Sequence, residues 1–308
     1  MSFEQAVRIQ SGFLGPYEEH LRRNCGLTAG SVGLFVWHVA RFLATRYGDR
    51  RPNPEALKPQ DAAVYVLGLS PRWKPNTRKG AVTALRSYLR WLQMCGRCAP
   101  ELVDSVPTVS SSRFSGIPAA ISPHQLGTLL ETFDRNKPTG LRDYAAALCM
   151  ARLGLRVGEV AQLTLDDIDW REGVISLPMR KARRRNALPL PREVGDAMVA
   201  YIRRGRPRTP ERHIFVSHRR QKVTPVGKAA LRHAVRMAFI KGHLNTPSKG
   251  THILRHTAAT QWLRSGASLK EIADTLGHQS LDTTAIYAKV DVAALQTVAM
   301  PWPQEASR

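Results

Sequence analysis

The residue types that could carry out chemistry in this chain lie in its second half. They combine cations, imidazoles, one acid and one phenol: Arg156, Glu159, Lys181, His252, Arg255, His278 and Tyr287. Cations and imidazoles stabilise a phosphate that gains negative charge in a transition state. A lysine can protonate a leaving oxygen, and a phenol can attack phosphorus. The set therefore predicts phosphoryl transfer to a tyrosine hydroxyl.

His252 and Arg255 lie three residues apart in the sequence THILRHT, so a helix would present both on one face. If Thr251 is the N-cap, both side chains lie near a helix N-terminus, where free N–H groups favour a bound phosphate. An ordinary helix with a surface histidine and arginine fits the same spacing. A zinc-binding helix is a third interpretation, because His252 and His256 stand at i and i+4. However, Ile253 occupies the place of the general-base glutamate that a metalloprotease needs.

Arg156 and Glu159 belong to the sequence GLRVGEV, directly after a predicted apolar helix. The carboxylate could hold the guanidinium in place for phosphate binding, or the two could form an ordinary ion pair within a helix. His278 follows Gly277, which is predicted to end a helix, and Tyr287 comes nine residues after His278. A lone tyrosine on an amphipathic helix, such as Tyr287, is usually a half-buried core residue.

Lys181 falls in a basic turn between two predicted strands, residues 174–177 and 187–190. A lysine at a hairpin tip can reach a backbone oxygen of a nucleic acid, and it has an exchangeable proton that arginine lacks. A simple phosphate-binding run explains the same turn. That second interpretation is preferred for the adjacent arginines, Arg183, Arg184 and Arg185.

The charge of the chain points to a polyanionic partner. It contains 46 Lys and Arg against 24 Asp and Glu, for a net charge of +22, and residues 171–250 hold 20 basic against 4 acidic side chains. A ribosome-associated or merely cationic protein is the alternative. Neither a signal segment nor an apolar run near ~20 residues is found, so a soluble cytoplasmic protein is expected. Cys95 and Cys98 are expected to be structural thiols, and no metal or cofactor is expected.

The elements that must position the chemical residues are mostly helices. Apolar residues from Val32 to Leu43 recur at helical spacing, and a second helix is predicted from about Asn76 to Met94. The second helix carries basic residues on one face, which either contact phosphates or form a solvated surface. These residues are Lys79, Arg86 and Arg90.

Composition divides the chain into three parts. Residues 1–108 are predicted to form a helical domain, 109–121 a linker rich in Pro, Ser and Gly, and 122–308 a second domain with a C-terminal tail. Ser122 and Gln125 predict a capping box where the second domain opens. The segment His213–Ser217 is predicted to be a third strand. Later helices are predicted from Thr224-Pro225, from Thr251, and from the capping box of Ser268 and Glu271.

Four segments together resemble the tyrosine recombinase, or phage integrase, family: GLRVGEV, HILRH, LGH and the tyrosine nine residues beyond. The strand-turn-strand ISLPMRKARRRNALPL is similar to the lysine-bearing hairpin of that family, although the turn departs from the common GKGxK spelling. The resemblance is strong over residues ~120–295 and general over the helical first ~110. It implies that Arg156, His252, Arg255 and His278 bind the scissile phosphate and that Tyr287 is the nucleophile. It also implies that Lys181 is the general acid and that Glu159 supports Arg156.

The resemblance implies a mainly α fold with a small antiparallel β-sheet, in which a helical core-binding domain and a catalytic domain form a C-shaped clamp. The implied activity is site-specific cleavage and rejoining of DNA through a 3′-phosphotyrosyl link, without ATP or metal. The implied partners are double-stranded recombination sites and, on DNA, three further copies of the chain, which could be a monomer in solution. Helper or partner recombinases are compatible with this. A type IB topoisomerase or a non-catalytic DNA-binding protein is the alternative.

Two expectations concern the ends of the chain. No arm-binding domain is expected before residue 122, because one helical domain takes up the preceding residues. The segment Val290–Met300 is apolar and follows Tyr287 closely, so it is expected to fold back on its own domain or to dock on a neighbouring protomer. The family resemblance favours docking.

The basic composition predicts a steep dependence of DNA affinity on salt. Each phosphate that the protein neutralises contributes about 0.9 to the slope of log affinity against log salt concentration. We expect a slope steeper than about −4, measured by fluorescence anisotropy on a short duplex between low and moderate salt. A flat response would mean that the positive charge serves another partner.

Overall fold

The computed structural model describes residues 2–69, 73–109, 119–178, 185–218, 223–277, 284 and 286–287. The chain divides into two compact units, Met1–Ser115 and Gly116–Arg308. Each unit has a hydrophobic core of its own. In the described residues the first unit is helical and the second combines helices with one small sheet, which confirms the predicted fold class.

The first unit is organised around its third helix, which packs against four others. Thr28 caps the helix by accepting a hydrogen bond from the backbone N–H of Ser31. Val32, Val39 and Phe42 on its inner face are buried, as the apolar spacing predicted. The helices of this unit are α1 (Phe3–Gly12), α2 (Gly15–Arg23), α3 (Ala29–Tyr47), α4 (Pro59–Leu67), α5 (Pro75–Met94) and α6 (Glu101–Asp104).

The second unit is built on a central helix that packs against five others. This helix, α8, is buried at every position from Ala145 to Ala151, so it is apolar all round rather than amphipathic. The helices of this unit are α7 (Pro123–Glu131), α8 (Pro138–Arg152), α9 (Val157–Val160), α10 (Arg192–Arg204), α11 (Lys228–Lys241), α12 (Thr251–Arg264) and α13 (Leu269–Leu276).

The sheet of the second unit has three antiparallel strands in the order β1 (Ile168–Asp169), β2 (Val174–Pro178) and β3 (Arg185–Pro189). The prediction of a strand at His213–Ser217 is wrong. In this segment His213 and Val216 form only isolated bridges. The apolar residues between them are buried in the core, and a short apolar run does not distinguish a strand from other buried segments.

The predicted caps are largely confirmed. The capping boxes of Ser122 with Gln125 and of Ser268 with Glu271 are both formed, and Gly277 ends α13 in the left-handed conformation with φ of 59°. Helix α12 begins at Thr251, as predicted, but its N-cap is Gly250 and not Thr251.

The predicted start of α11 is wrong, because this helix begins at Lys228 and not at Thr224-Pro225. The backbone N–H of Ser217 donates to the carbonyl of Thr224, and Val216 pairs with Pro225. This pairing holds the segment in an extended conformation, so the helix starts after it. Among the helices in the described ranges, none is long and apolar enough to cross a membrane.

Gly154, between α8 and α9, is expected to tolerate no side chain. Its φ is +62°, and an added Cβ would lie 2.8 Å from Leu276 and 2.9 Å from Trp262. Gly173 has a similar φ of +64° with no atom within 4 Å, so it isolates the conformational cost. We expect Gly173→Ala to lower the free energy of unfolding by about 1–2 kcal/mol. Gly154→Ala should lower it by roughly a further 1–3 kcal/mol because of the overpacking.

Urea denaturation of both variants measures this difference. Equal losses at the two positions would contradict the steric argument for Gly154.

Candidate active site

Arg255 is buried on α12 and is held by two backbone carbonyls. Its Nη1 donates to the carbonyl of Gly154 at 2.6 Å, and its Nη2 donates to the carbonyl of Leu276 at 2.6 Å. The side chain is 6% exposed. Burial, with a contribution from Arg156, lowers the pKa of Arg255 to about 10, against the opposing effect of Glu159. The guanidinium therefore remains protonated at neutral pH and has a fixed orientation.

Arg156 and Glu159 form a compact pair at the start of α9. The carboxylate of Glu159 accepts from the backbone N–H of Arg156 at 2.7 Å and from its Nη1 at 2.9 Å. The same carboxylate lies 3.9 Å from Nη1 of Arg255. Glu159 thus fixes both the main chain and the side chain of Arg156 and partly offsets two positive charges.

The carbonyl of Leu276 links the two arginines. It accepts from Nη2 of Arg255 and also from Nη1 of Arg156, the latter at 3.3 Å. Leu276 is the last residue of α13, where helical carbonyls have no partner within the helix. The C-terminus of α13 is therefore attached to the loop after α8 and to α12 through charged donors.

A basic cleft of about 150 Å³ opens beside these arginines. His252, one turn before Arg255, lies at its edge and is exposed. Partial burial of the ring and the nearby arginines lower the pKa of His252 below its ordinary value, so the imidazole is neutral at neutral pH. Lys228 and Arg232 on α11 also line the cleft, and neither was predicted. Their spacing of four residues on a helix was the only signal in the sequence.

Tyr287 is buried beside α12, with 1% of its surface exposed. Its hydroxyl lies 2.7 Å from Nδ1 of His256. Burial raises the pKa of Tyr287 to about 12, although Arg255 and Arg156 act in the opposite direction. Its phenol is therefore protonated at neutral pH. The zinc-helix spacing and the segment HILRH both include His256, but neither predicts its contact with Tyr287.

The zinc interpretation finds no structural support in the described residues, where no group of three metal-binding side chains occurs. The rings of His252 and His256 are 6.4 Å apart between centroids, and His256 is engaged with Tyr287. In the first unit, Cys98 contacts the carbonyl of Leu89 through its thiol, while Cys95 is exposed.

Several predicted site residues lie outside the described residues, and so does the tail segment. They are Lys181, Arg183, Arg184 and His278; Arg185 begins β3, but its side chain is not described. On α5, Lys79 and Arg90 are exposed. Arg86 instead donates to the carbonyl of Val106 at 2.7 Å and to the hydroxyl of Thr108 at 3.0 Å, so its guanidinium is engaged within the first unit.

Comparison with known proteins agrees with the geometry. Residues 120–293 match the phage integrase family. The chain belongs to this family. It is 41% identical to the putative integrase/recombinase y4rA of Sinorhizobium fredii, over 94% of this chain and 70% of that protein. It is also 26% identical to the tyrosine recombinase XerD of Listeria innocua, over 89% of this chain and 92% of that protein.

Solved structures share the fold. The structure of the XerH site-specific recombinase bound to a palindromic difH substrate superposes with a TM-score of 0.69 and 20% identity, covering 93% of this chain and 83% of that one. A lambda integrase dimer bound to a COC′ core site gives a TM-score of 0.69 and 17% identity, over 90% of this chain and 94% of that one. The predicted family and enzyme class are confirmed: the protein is a tyrosine recombinase, an enzyme of site-specific DNA cleavage and rejoining.

Replacing Glu159 with Gln tests whether its charge supports the site. Gln retains the shape and one acceptor but loses the charge-assisted hydrogen bonds, which are each worth about 1.5–3 kcal/mol. We expect Glu159→Gln to slow DNA cleavage by about ten-fold or more, with DNA affinity nearly unchanged. Single-turnover cleavage of a nicked duplex measures the rate.

Glu193→Gln is the matched control, because Glu193 binds Arg152 at 2.8 Å on the protein surface away from the cleft. Equal rates for the Glu159 variant and this control would show that Glu159 is an ordinary ion-pair partner.

Proposed function

We propose that this recombinase exchanges strands between double-stranded DNA sites through a 3′-phosphotyrosyl link to Tyr287. The observation that carries the proposal is the arrangement of Arg156, Arg255 and His252 around one basic cleft, with Tyr287 within electrostatic reach of both arginines. These groups come from separate segments of the chain, and backbone hydrogen bonds fix the two arginines. Such fixed donors suit a phosphate whose charge increases in the transition state.

In the proposed first step, the oxygen of Tyr287 bonds to phosphorus and the bond from phosphorus to the 5′-oxygen breaks. Lys181 supplies a proton to that 5′-oxygen, and Arg156, His252, Arg255 and His278 bind the phosphate. Attack by a 5′-hydroxyl of another duplex then reverses the chemistry on a new partner. One phosphoester replaces another in each step, so the reaction needs neither ATP nor a metal ion.

The DNA partner is supported by charge and by related proteins. The XerH and lambda integrase structures are complexes with a difH substrate and with a COC′ core site, and a Tn1549 transposon integrase was solved with circular intermediate DNA. The net charge of +22 suits the same partner. We assign residues 1–108 to core-site binding, with Lys79 and Arg90 as exposed phosphate contacts on α5.

We also propose that four protomers assemble around two DNA sites and that the tail after Tyr287 connects neighbours. The relatives named integrase/recombinase favour a role in the movement of a mobile element.

Tyr287→Phe is expected to abolish covalent attachment to DNA while leaving affinity within about three-fold of wild type. The change removes one hydroxyl, which is the nucleophile and not a cation that binds phosphate. A DNA site selected for binding to this protein is prepared as a nicked, end-labelled duplex, and the covalent adduct is measured on a denaturing gel. Tyr144→Phe is the control, because Tyr144 lies on α8 and its half-buried ring is covered by the guanidinium of Arg135.

An adduct that persists in the Tyr287→Phe variant would assign the nucleophile elsewhere. Relaxation of supercoiled DNA without strand exchange by the wild type would instead support a topoisomerase.

A further inference from the structure

The hydroxyl of Tyr287 has one close polar side-chain neighbour in the described residues, and it is His256. Nδ1 of His256 lies 2.7 Å from the phenolic oxygen, and the ring centroids are 5.6 Å apart. The tyrosine is buried among Ala259, Ile272 and Leu276, so the packing of its ring maintains this contact. The distance is that of a strong hydrogen bond.

A nucleophilic phenol in this environment needs a proton acceptor. Burial raises the pKa of Tyr287 to about 12, so little phenolate exists at neutral pH. The nearby guanidiniums of Arg255 and Arg156 stabilise a phenolate but cannot take a proton, because arginine is always charged. These cations therefore stabilise the phenolate, but another group must accept the proton.

Among the described residues, neither of the two other candidate bases at the site is placed to take that proton. The carboxylate of Glu159 is occupied by the main chain and side chain of Arg156. The ring of His252 lies 6.4 Å from that of His256, toward the cleft. His256 is the group in contact with the reacting oxygen.

We propose that His256 is the general base that removes the proton of Tyr287 during DNA cleavage and returns it during rejoining. This proposal rests on the function proposed above, in which Tyr287 is the nucleophile. His256 is a catalytic residue in this assignment, because it contacts a reacting atom.

The protons of the step balance. The O–H proton of Tyr287 moves to Nδ1 of His256, which carries its other proton on Nε2, while the phenolic oxygen bonds to phosphorus. The bond from phosphorus to the 5′-oxygen breaks, and Lys181 protonates that oxygen. In rejoining, the oxygen of the incoming 5′-hydroxyl bonds to phosphorus and gives its proton to the neutral Lys181. The bond from phosphorus to the phenolic oxygen breaks, and His256 returns its proton to that oxygen.

The surroundings of His256 favour the neutral form that accepts a proton. Burial lowers its pKa, and electrostatic contributions from His252 and Arg255 on the same helix lower it further. The guanidinium of Arg255 limits how strongly the imidazolium holds the proton, which favours its return. An acceptor of this kind suits a reaction that must proceed in both directions.

The test compares three chains in single-turnover adduct formation on a nicked, labelled duplex: wild type, His256→Gln and His256→Ala. Gln retains a hydrogen-bonding oxygen for the phenol but cannot take up a proton, so it separates positioning from proton transfer. We expect both variants to lose about 10²-fold or more in rate, at DNA affinity close to wild type. His124→Gln, on the exposed first turn of α7, is the matched control and should react as wild type.

Two altered reactants show whether a variant has lost protonation of the leaving 5′-oxygen or removal of the proton from Tyr287. A bridging 5′-phosphorothiolate has a leaving group that needs no protonation, so it should restore activity to Lys181→Ala and not to the His256 variants. A fluorinated tyrosine at position 287 has a more acidic phenol, so it should reduce the loss of cleavage rate caused by His256→Ala. If either variant binds DNA poorly, His256→Asn takes its place in the same comparison.

Three outcomes overturn the proposal: a His256→Gln rate within about three-fold of wild type, rescue by the phosphorothiolate, or an undiminished loss with the fluorinated tyrosine. The first would leave His256 as a positioning group only. Failure of the proposed function is read separately, from an absent adduct in the wild type or an adduct in Tyr287→Phe.

Discussion

The burial of the Arg255 guanidinium is the constraint on which the catalytic unit depends. A buried charge is costly unless its donors are satisfied, and here two backbone carbonyls, of Gly154 and Leu276, accept from it at 2.6 Å each. Those carbonyls belong to the loop after α8 and to the end of α13. The core must therefore bring three separate segments together before the cation can be accommodated. Helix α12 packs on the apolar helix α8, and α13 packs on α12.

The positive charges that have no acidic partner among the described residues determine the chemistry of the site. Glu159 is the one acid among the described residues lining the cleft, where it faces Arg156, Arg255, Lys228 and Arg232. The excess of positive charge is held in place by the protein before any ligand arrives, so little reorganisation is needed when a phosphate binds. Unlike the cations, the neighbouring phenol of Tyr287 is uncharged, because its burial favours the neutral form. The site thus combines a cationic surface with a protonated nucleophile.

Much of this organisation could be predicted from the sequence because it is encoded locally. Capping boxes, the left-handed Gly277 and the spacing of His252 and Arg255 each depend on a few adjacent residues. Contacts over long separations could not be predicted. The bond between His256 and Tyr287 joins residues 31 apart, and no periodicity signals it. The apolar run around Phe215 indicates burial but does not indicate its backbone partners, so the strand predicted there is not formed.

The shared carbonyl of Leu276 has a thermodynamic consequence. Since one acceptor binds both guanidiniums, neither arginine can change position without altering the environment of the other. Substitutions at the two arginines should therefore be coupled, with a combined cost different from the sum of the separate costs. A displacement of the last turn of α13 would remove one hydrogen bond from each cation at the same time, while Gly154 would still bind Arg255 and Glu159 would still bind Arg156. The terminus of one helix thus links the energetics of two side chains that lie far apart in the sequence.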